Sequence, residues 1–266
     1  MSKIIDAIHT LSTMEELASG ASFLHRLHPG IKIWITFVYL VAVLSFSRYE
    51  LVGLISLLFY PALMIPLAEI RFAQIFKRVL VALPFSLFAG ISNIVFERTV
   101  VVAIGPLPVT LGMISFLSLM LKTFLCVSAV LVLVATTPSF VLFSQLRKLC
   151  IPRILVLTIM MTYRYIFLLL DEAASMTAAY HLRAPNKKGI LMKDMGSFLG
   201  QLILRCFDRS ERIYSAMECR GFKGEYCCGS TASLNLASLF YGGVLLAFIV
   251  LLRIFPIPLI IANLIY

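Results

Sequence analysis

The sequence predicts an all-α membrane protein with about five transmembrane helices and two further long helices on the cytoplasmic side. Three observations carry that prediction. Of the 266 residues, 61% are apolar and 14% charged, with a mean hydropathy of +0.98, whereas a soluble domain is about 45–50% apolar and about 25% charged. The apolar residues gather into five runs, residues 31–47, 51–68, 79–96, 111–135 and 235–252, each near the roughly 20 residues that a helix needs to cross a bilayer. Finally, 13 of the 23 Lys and Arg residues fall between Arg147 and Lys223, in a helix-patterned segment that reads as a large surface presented to the cytoplasm.

Taken in order, the first 18 residues carry Asp6, Glu15 and Glu16 and read as a cytoplasmic lead-in. No stretch has the charged start, short apolar core and cleavage site of a secretory signal, so the first span serves as its own signal. Residues 1–135 hold the lead-in and four spans, 136–230 the basic cytoplasmic region and 231–266 the last span, all as one unit. With the N-terminus inside, the cytoplasm receives 19 basic residues and the outside keeps only 3, Arg48, Arg98 and Arg253, with Lys122 left within a span. The positive-inside rule selects that orientation for a multi-pass protein of the cell (inner) membrane.

Residues 154–170 are apolar enough to cross, but a crossing would place nine cations outside, from Arg183 to Lys223. They are read instead as the first half of a helix over residues 153–183, opened near Pro152 and stopped before Pro185. A second helix over about 191–218 is amphipathic, with Met195, Phe198, Leu199, Leu202, Ile203 and Cys206 on one face and Arg205, Arg209 and Arg212 on another. Gly221 is its stop signal, which makes a dipole partner the simplest reading of Arg220. Residues 99–110, with two prolines and a β-branched run, predict a short hairpin or irregular loop. The last 13 residues, with Pro256 and Pro258, either extend the preceding span or lie in the interface.

The chemical inventory points away from catalysis. No Gly-Lys dipeptide occurs, so there is no phosphate-binding loop of the Walker type. The spans carry no Asp-rich pairs for magnesium, and the six cysteines form no CxxC pair or zinc-ligand spacing. His25 and His28 are the one close histidine pair, a metal pair or a capping and packing pair. Lys122 either snorkels to an interface or is the working charge of a stand-alone permease. Seven acids from Asp171 to Glu225 interleave with the basic segment, which disfavours nucleic acid and favours a docking surface. The expectation is a chain without catalytic residues, metal ligands or a cofactor.

The run from Arg209 to Phe222, RSERIYSAMECRGF, closely resembles the RSERxxxAMxxRGF stretch of the transmembrane T components of energy-coupling factor (ECF) transporters, especially the CbiQ-like subunits of cobalt and nickel importers. Upstream, Thr136-Thr137-Pro138, Leu146 to Pro152, Thr162 to Tyr165 and Ala179 to Arg183 resemble the family's helix leading to its first arginine tripeptide. Ser22 to Lys32 resembles its N-terminal SxLHxLDPRxK motif, with His28 and Gly30 in place of the Asp and Arg. The resemblance implies that the two long helices are coupling helices crossing on the cytoplasmic face. The tripeptides Leu182-Arg183-Ala184 and Cys219-Arg220-Gly221 would dock on two ABC-type ATPase subunits, supported by Arg209, Ser210, Glu211, Arg212, Ala216, Met217 and Phe222. It further implies a separate substrate-binding membrane subunit, room for a small accessory membrane subunit, and ATP-driven import of cobalt or nickel. A T component serving a vitamin-binding subunit and a membrane enzyme of unknown chemistry are the alternatives.

Overall fold

The computed structural model describes residues 15, 18, 20, 22–70, 72–97, 99–104, 107–146, 151–184, 189–222, 224 and 236–254. The sequence reading has one unit, whereas the contacts form two compact ones: Leu17–Pro138 with Ala232–Tyr266, and Met1–Glu16 with Ser139–Thr231. The final 13 residues of the sequence lie almost wholly outside the described part.

The larger unit is a helical bundle in which all five apolar runs are helical. Its elements are α1 (Phe23–Arg26), α2 (Pro29–Leu44), α3 (Leu51–Leu57), α4 (Phe59–Leu67), α5 (Phe72–Phe96), α6 (Leu111–Thr136) and α10 (Leu236–Ile254). The antiparallel strands β1 (Val100–Ile104) and β2 (Leu107–Thr110) join α5 to α6, where a hairpin or loop is expected. Helix α6 is the hub, packed on α2, α3, α4 and α5, while α10 lies on α2 and α3. Its buried positions are mostly small, among them Gly112, Ser115, Ser118, Ser128, Ala129 and Ala135, which lets neighbouring backbones approach as helices in lipid require. The outward face of α5 is apolar and open, with Phe85 83% and Phe96 84% exposed. Such a face suits hydrocarbon and would be costly in water.

Helices α5 and α6 are long and apolar enough to span a bilayer, as is α8 of the other unit; α2, residues 53–67 and residues 238–253 are shorter apolar helices. Two boundaries differ from expectation. The run at 79–96 starts earlier, at Phe72, because no proline or glycine interrupts residues 72–78, so Lys77 and Arg78 ride on the first turns of α5. The run at 51–68 is broken at Leu58. Pro61 has no N–H to give to the carbonyl of Leu57, four residues back, and the Tyr39 hydroxyl fills that vacancy by donating to the Leu57 oxygen at 3.0 Å. Tyr39 also stacks on Tyr60, ring centres 4.1 Å apart.

Gly112 marks a close approach of α6 to the backbone of α5. A Cβ there would lie 2.7 Å from the carbonyl oxygens of both Asn93 and Glu97, and the Gly112 N–H instead donates to the Glu97 oxygen at 3.2 Å. One turn on, the Asn93 amide donates to Ser115 Oγ at 3.0 Å.

Cations bind the bundle's helix ends together. Lys32, buried at the start of α2, donates to the Thr136 carbonyl at 2.9 Å and to Thr137 Oγ1 at 3.4 Å, at the C-terminus of α6. In return Lys122 of α6 donates to the Phe46 carbonyl at 2.7 Å, just past the C-terminus of α2. Arg253 of α10 joins this second site, over the Phe46 ring at 4.0 Å from its centre and within 3.4 Å of the Ser45 carbonyl. Lys122 therefore satisfies a helix end. The histidine pair is likewise local: His28 Nδ1 accepts from the Gly30 N–H at 3.1 Å as N-cap of α2, and His25 Nδ1 lies 2.6 Å from Ser22 Oγ.

Lys32→Met and Lys122→Met should each lower the stability of the bundle by about 1.5–3 kcal/mol, the range for a hydrogen bond to a charged group. The two sites share no partner and lie about 21 Å apart along the helices, so the double variant should be additive to about 0.5 kcal/mol. Unfolding titrations of the purified chain in mixed micelles measure this, and a loss under about 0.5 kcal/mol for both single variants would contradict it.

Candidate functional site

The smaller unit holds α7 (Ser139–Leu146), α8 (Arg153–Arg183) and α9 (Met192–Cys219). The bounds of α8 and α9 lie within one or two residues of those predicted. Proline opens α8, since Pro152 as N-cap needs no donor, and Ala184, one residue before Pro185, ends it with its N–H on the Tyr180 carbonyl at 3.0 Å. Helix α7, which sequence reasoning misses, packs on α8 through Phe143 against Tyr163 at 5.4 Å between ring centres. The Tyr163 hydroxyl in turn donates to Glu15 Oε1 at 2.8 Å.

Helices α8 and α9 form an antiparallel pair, because their contacts step down one helix as they step up the other. Next to the turn, the Tyr180 hydroxyl donates to Asp194 Oδ2 at 2.7 Å and its oxygen accepts from the Leu191 N–H at 3.5 Å. That carboxylate bond holds the Tyr180 phenol above its ordinary pKa, so it stays a protonated donor. Two turns on, Arg205 pairs with Glu172. Farther from the turn the helices enclose a groove of about 580 Å³. Met161, Arg164, Tyr165 and Leu168 line it from α8, and Arg209, Ile213, Ala216, Met217 and Arg220 from α9, each set at three- and four-residue spacing on one helical face. A smaller cavity of about 330 Å³ beside it is lined by Leu169, Glu172, Arg205, Cys206, Asp208, Arg209 and Arg212.

The apolar face predicted for α9 is divided in the structure. Met195, Phe198, Leu202 and Cys206 are half-buried, whereas Leu199 is 48% and Ile203 54% exposed. Leu204 and Phe207 extend this second, open strip, and α9 as a whole has no fully buried residue.

The arginine tripeptides occupy helix ends. Leu182 and Arg183 close α8 and are exposed, with Ala184 half-buried as its C-cap; Cys219 closes α9 and is exposed. One tripeptide precedes the first turn of α9 and the other follows its last, so they are separated by the length of a 28-residue helix, about 42 Å. Arg220, Gly221 and Phe222 form a complete Schellman ending. The Phe222 N–H donates to the Met217 carbonyl at 3.0 Å and the Gly221 N–H to the Glu218 carbonyl at 2.9 Å, with Gly221 at φ +77°, a value that glycine alone adopts freely. Met217 and Phe222 both line the groove, as the apolar contact of that motif requires. The glycine thereby sets where the helix stops and holds Arg220 at its rim.

The supporting residues divide between two sides of α9. Arg209, Ala216, Met217 and Phe222 face the groove, while Ser210 and Glu211 are exposed elsewhere and Arg212 lines only the smaller cavity. Ser210 Oγ donates to the Phe207 carbonyl at 2.8 Å. The contribution of Arg164 was legible as a lone charge in the apolar run ILVLTIMMTYRYIFLLL, but its partner helix was not.

Comparison with known proteins bears on the whole of this arrangement. The family model of CbiQ, cobalt transport protein, matches residues 20–227. The energy-coupling factor transporter transmembrane protein EcfT of Ruminiclostridium cellulolyticum is 28% identical over 226 residues, 80% of this chain and 84% of that one. The cobalt transport protein CbiQ of Rhodobacter capsulatus is 32% identical over 94 residues, 35% of this chain and 38% of its own length. An uncharacterized protein of Methanocaldococcus jannaschii is 29% identical over 223 residues, 79% of this chain and 75% of its own. The family match runs from before α1 through the end of the α8–α9 pair, covering the bundle helices before α10 together with the arginine-tipped helices, and the chain belongs to the CbiQ cobalt transport protein family, as a CbiQ-like T component of the ECF transporter type in the membrane.

Proposed function

We propose that the chain is the coupling subunit of an ATP-driven importer, carrying motion from two ABC-type ATPase subunits to a separate substrate-binding membrane subunit, with cobalt or nickel ions as cargo. The observation that carries this reading is the placement of Arg183 and Arg220, both exposed, beside the two ends of α9. A guanidinium offers a flat fork of donors that matches a carboxylate in two parallel bonds. An arginine held at a helix end therefore transmits a displacement of its partner along the helix axis. Two such ends about 42 Å apart suit two ATPase subunits better than one. Arg220 is the better braced, since the Schellman ending orients it, while Arg183 is the last residue of α8.

On this reading the chain neither hydrolyses ATP nor captures the metal. It has no phosphate-binding loop, and no group of three or more His, Cys, Asp or Glu side chains placed to hold a metal ion occurs among the described residues. The N-terminus and residues 136–230 face the cytoplasm of a cell whose inner membrane holds the bundle. Support comes from the 19 basic residues this arrangement keeps inside against 3 outside. The same charge count assigns α8, which is span-like by length and hydropathy, to the cytoplasmic side of the bilayer and its interface.

Arg183→Ala and Arg220→Ala should each weaken retention of the ATPases by the roughly 2–5 kcal/mol of a truncated buried charge pair, about 30-fold to several thousand-fold, with Arg220 the more sensitive. Uptake, ATPase co-purification and transport-coupled hydrolysis at matched membrane abundance are the measurements. If Arg220 only offsets the helix dipole, its loss costs about 0.3–1 kcal/mol of stability and assembly is intact; wild-type values in all three assays for the double variant would refute the coupling role. For orientation, a single cysteine at Asn186 in a cysteine-free background should resist an impermeant thiol reagent in intact cells and react once the membrane is opened. Labelling from outside would reverse the topology.

A further inference from the structure

We propose that the groove between α8 and α9 binds an anionic phospholipid, its phosphate held by Arg164 and Arg209 with Arg220 at the rim. Among the described residues the guanidinium groups of these three arginines make no ion pair or hydrogen bond, although Arg205, one turn before Arg209, has its carboxylate. The described lining of the groove contains no Asp or Glu; Glu172 and Asp208 face the neighbouring cavity instead. Guanidinium groups on both walls, Arg164 from α8 and Arg209 and Arg220 from the α9 side, create a site for phosphate oxygens. Apart from the hydroxyl of Tyr165 the remaining side chains of the lining are apolar, with Met161, Leu168, Ile213 and Phe222, a surface that a free phosphate ion would leave uncovered and that a glycerol backbone and the start of two acyl chains would fill. The volume of about 580 Å³ falls within the range of about 300–1,000 Å³ typical of small-molecule clefts. Arg164 also lies in the apolar first half of α8, residues 154–170, which the proposed topology puts at the bilayer interface, where basic side chains attract anionic lipid. A choline or ethanolamine headgroup would bring its ammonium against the arginines, so the lipid carries net negative charge.

The inference does not rest on ATPase docking, and its test uses the purified full chain alone. In detergent micelles, native mass spectrometry and thermal shifts would compare phosphatidylglycerol, phosphatidylcholine, inorganic phosphate and an oligoglutamate peptide. The expected result is at least tenfold preference for phosphatidylglycerol over phosphatidylcholine, reduced at least fivefold by Arg164→Gln and by Arg209→Gln, with neither phosphate nor peptide displacing it at equal concentration. A photoreactive phosphatidylglycerol on the wild-type chain should mark residues 161–168 and 213–222, a readout that needs no variant to fold. Equal retention of the two lipids, a preference untouched by both substitutions, crosslinks confined to other helices, or displacement by phosphate or peptide would each overturn the proposal.

Discussion

The bundle depends on two ammonium groups, Lys32 buried and Lys122 half-buried, that each occupy the carbonyl end of the other's helix. Lys32 of α2 reaches the end of α6, and Lys122 of α6 reaches the end of α2. On each helix 14 residues separate its lysine from the carbonyl that the other lysine caps, Lys32 from Phe46 and Lys122 from Thr136, so the two contacts repeat at the same interval on antiparallel helices and admit a single register. A helix ending in hydrocarbon exposes carbonyls that no water can satisfy. Burial at these ends also takes water from the lysine, almost fully at Lys32 and in part at Lys122, so bringing donor and acceptor together offsets desolvation of both. The negative end of the helix dipole adds to the attraction.

The remaining bundle contacts follow the same economy of polar groups. Tyr39 repairs the carbonyl that Pro61 leaves open, and Asn93 meets Ser115 beside the tight glycine contact of α5 with α6. These polar side chains at the helix interfaces answer specific backbone or side-chain needs, while the outer faces are left as apolar surface for lipid.

The α8–α9 pair is built on the opposite plan. Its polar contacts, Tyr180 with Asp194 and Glu172 with Arg205, cluster toward the turn, and the far half opens into the arginine-lined groove. Helix α9 fully buries none of its 28 residues. Such a helix gains little from its own chain, since most helical stability comes from burying an apolar face. Its local signals are correspondingly strong: a long amphipathic pattern, a charge pair to α8 and a complete Schellman ending. These define where Arg220 lies even with few tertiary contacts around it.

Membrane class, the five apolar helices and the bounds of α8 and α9 were legible in the sequence because they rest on local properties: run length, three- and four-residue periodicity, and proline and glycine at helix ends. The family motif was legible for the same reason, and the stop at Gly221 could be read from one residue. Other features required the tertiary structure, since they join residues far apart in sequence. Nothing near Lys122 points to Phe46, 76 residues away, and periodicity alone merged the half-buried and open apolar strips of α9 because it carries no information on which neighbour covers which. Arg164 could be recognised as an unusual charge, but its position opposite Arg209 and Arg220 is decided by the antiparallel pairing of two helices. Local chemistry thus determined the elements and their ends; long-range pairing, governed by which unsatisfied donors and carbonyls can meet without water, decided the register and the groove.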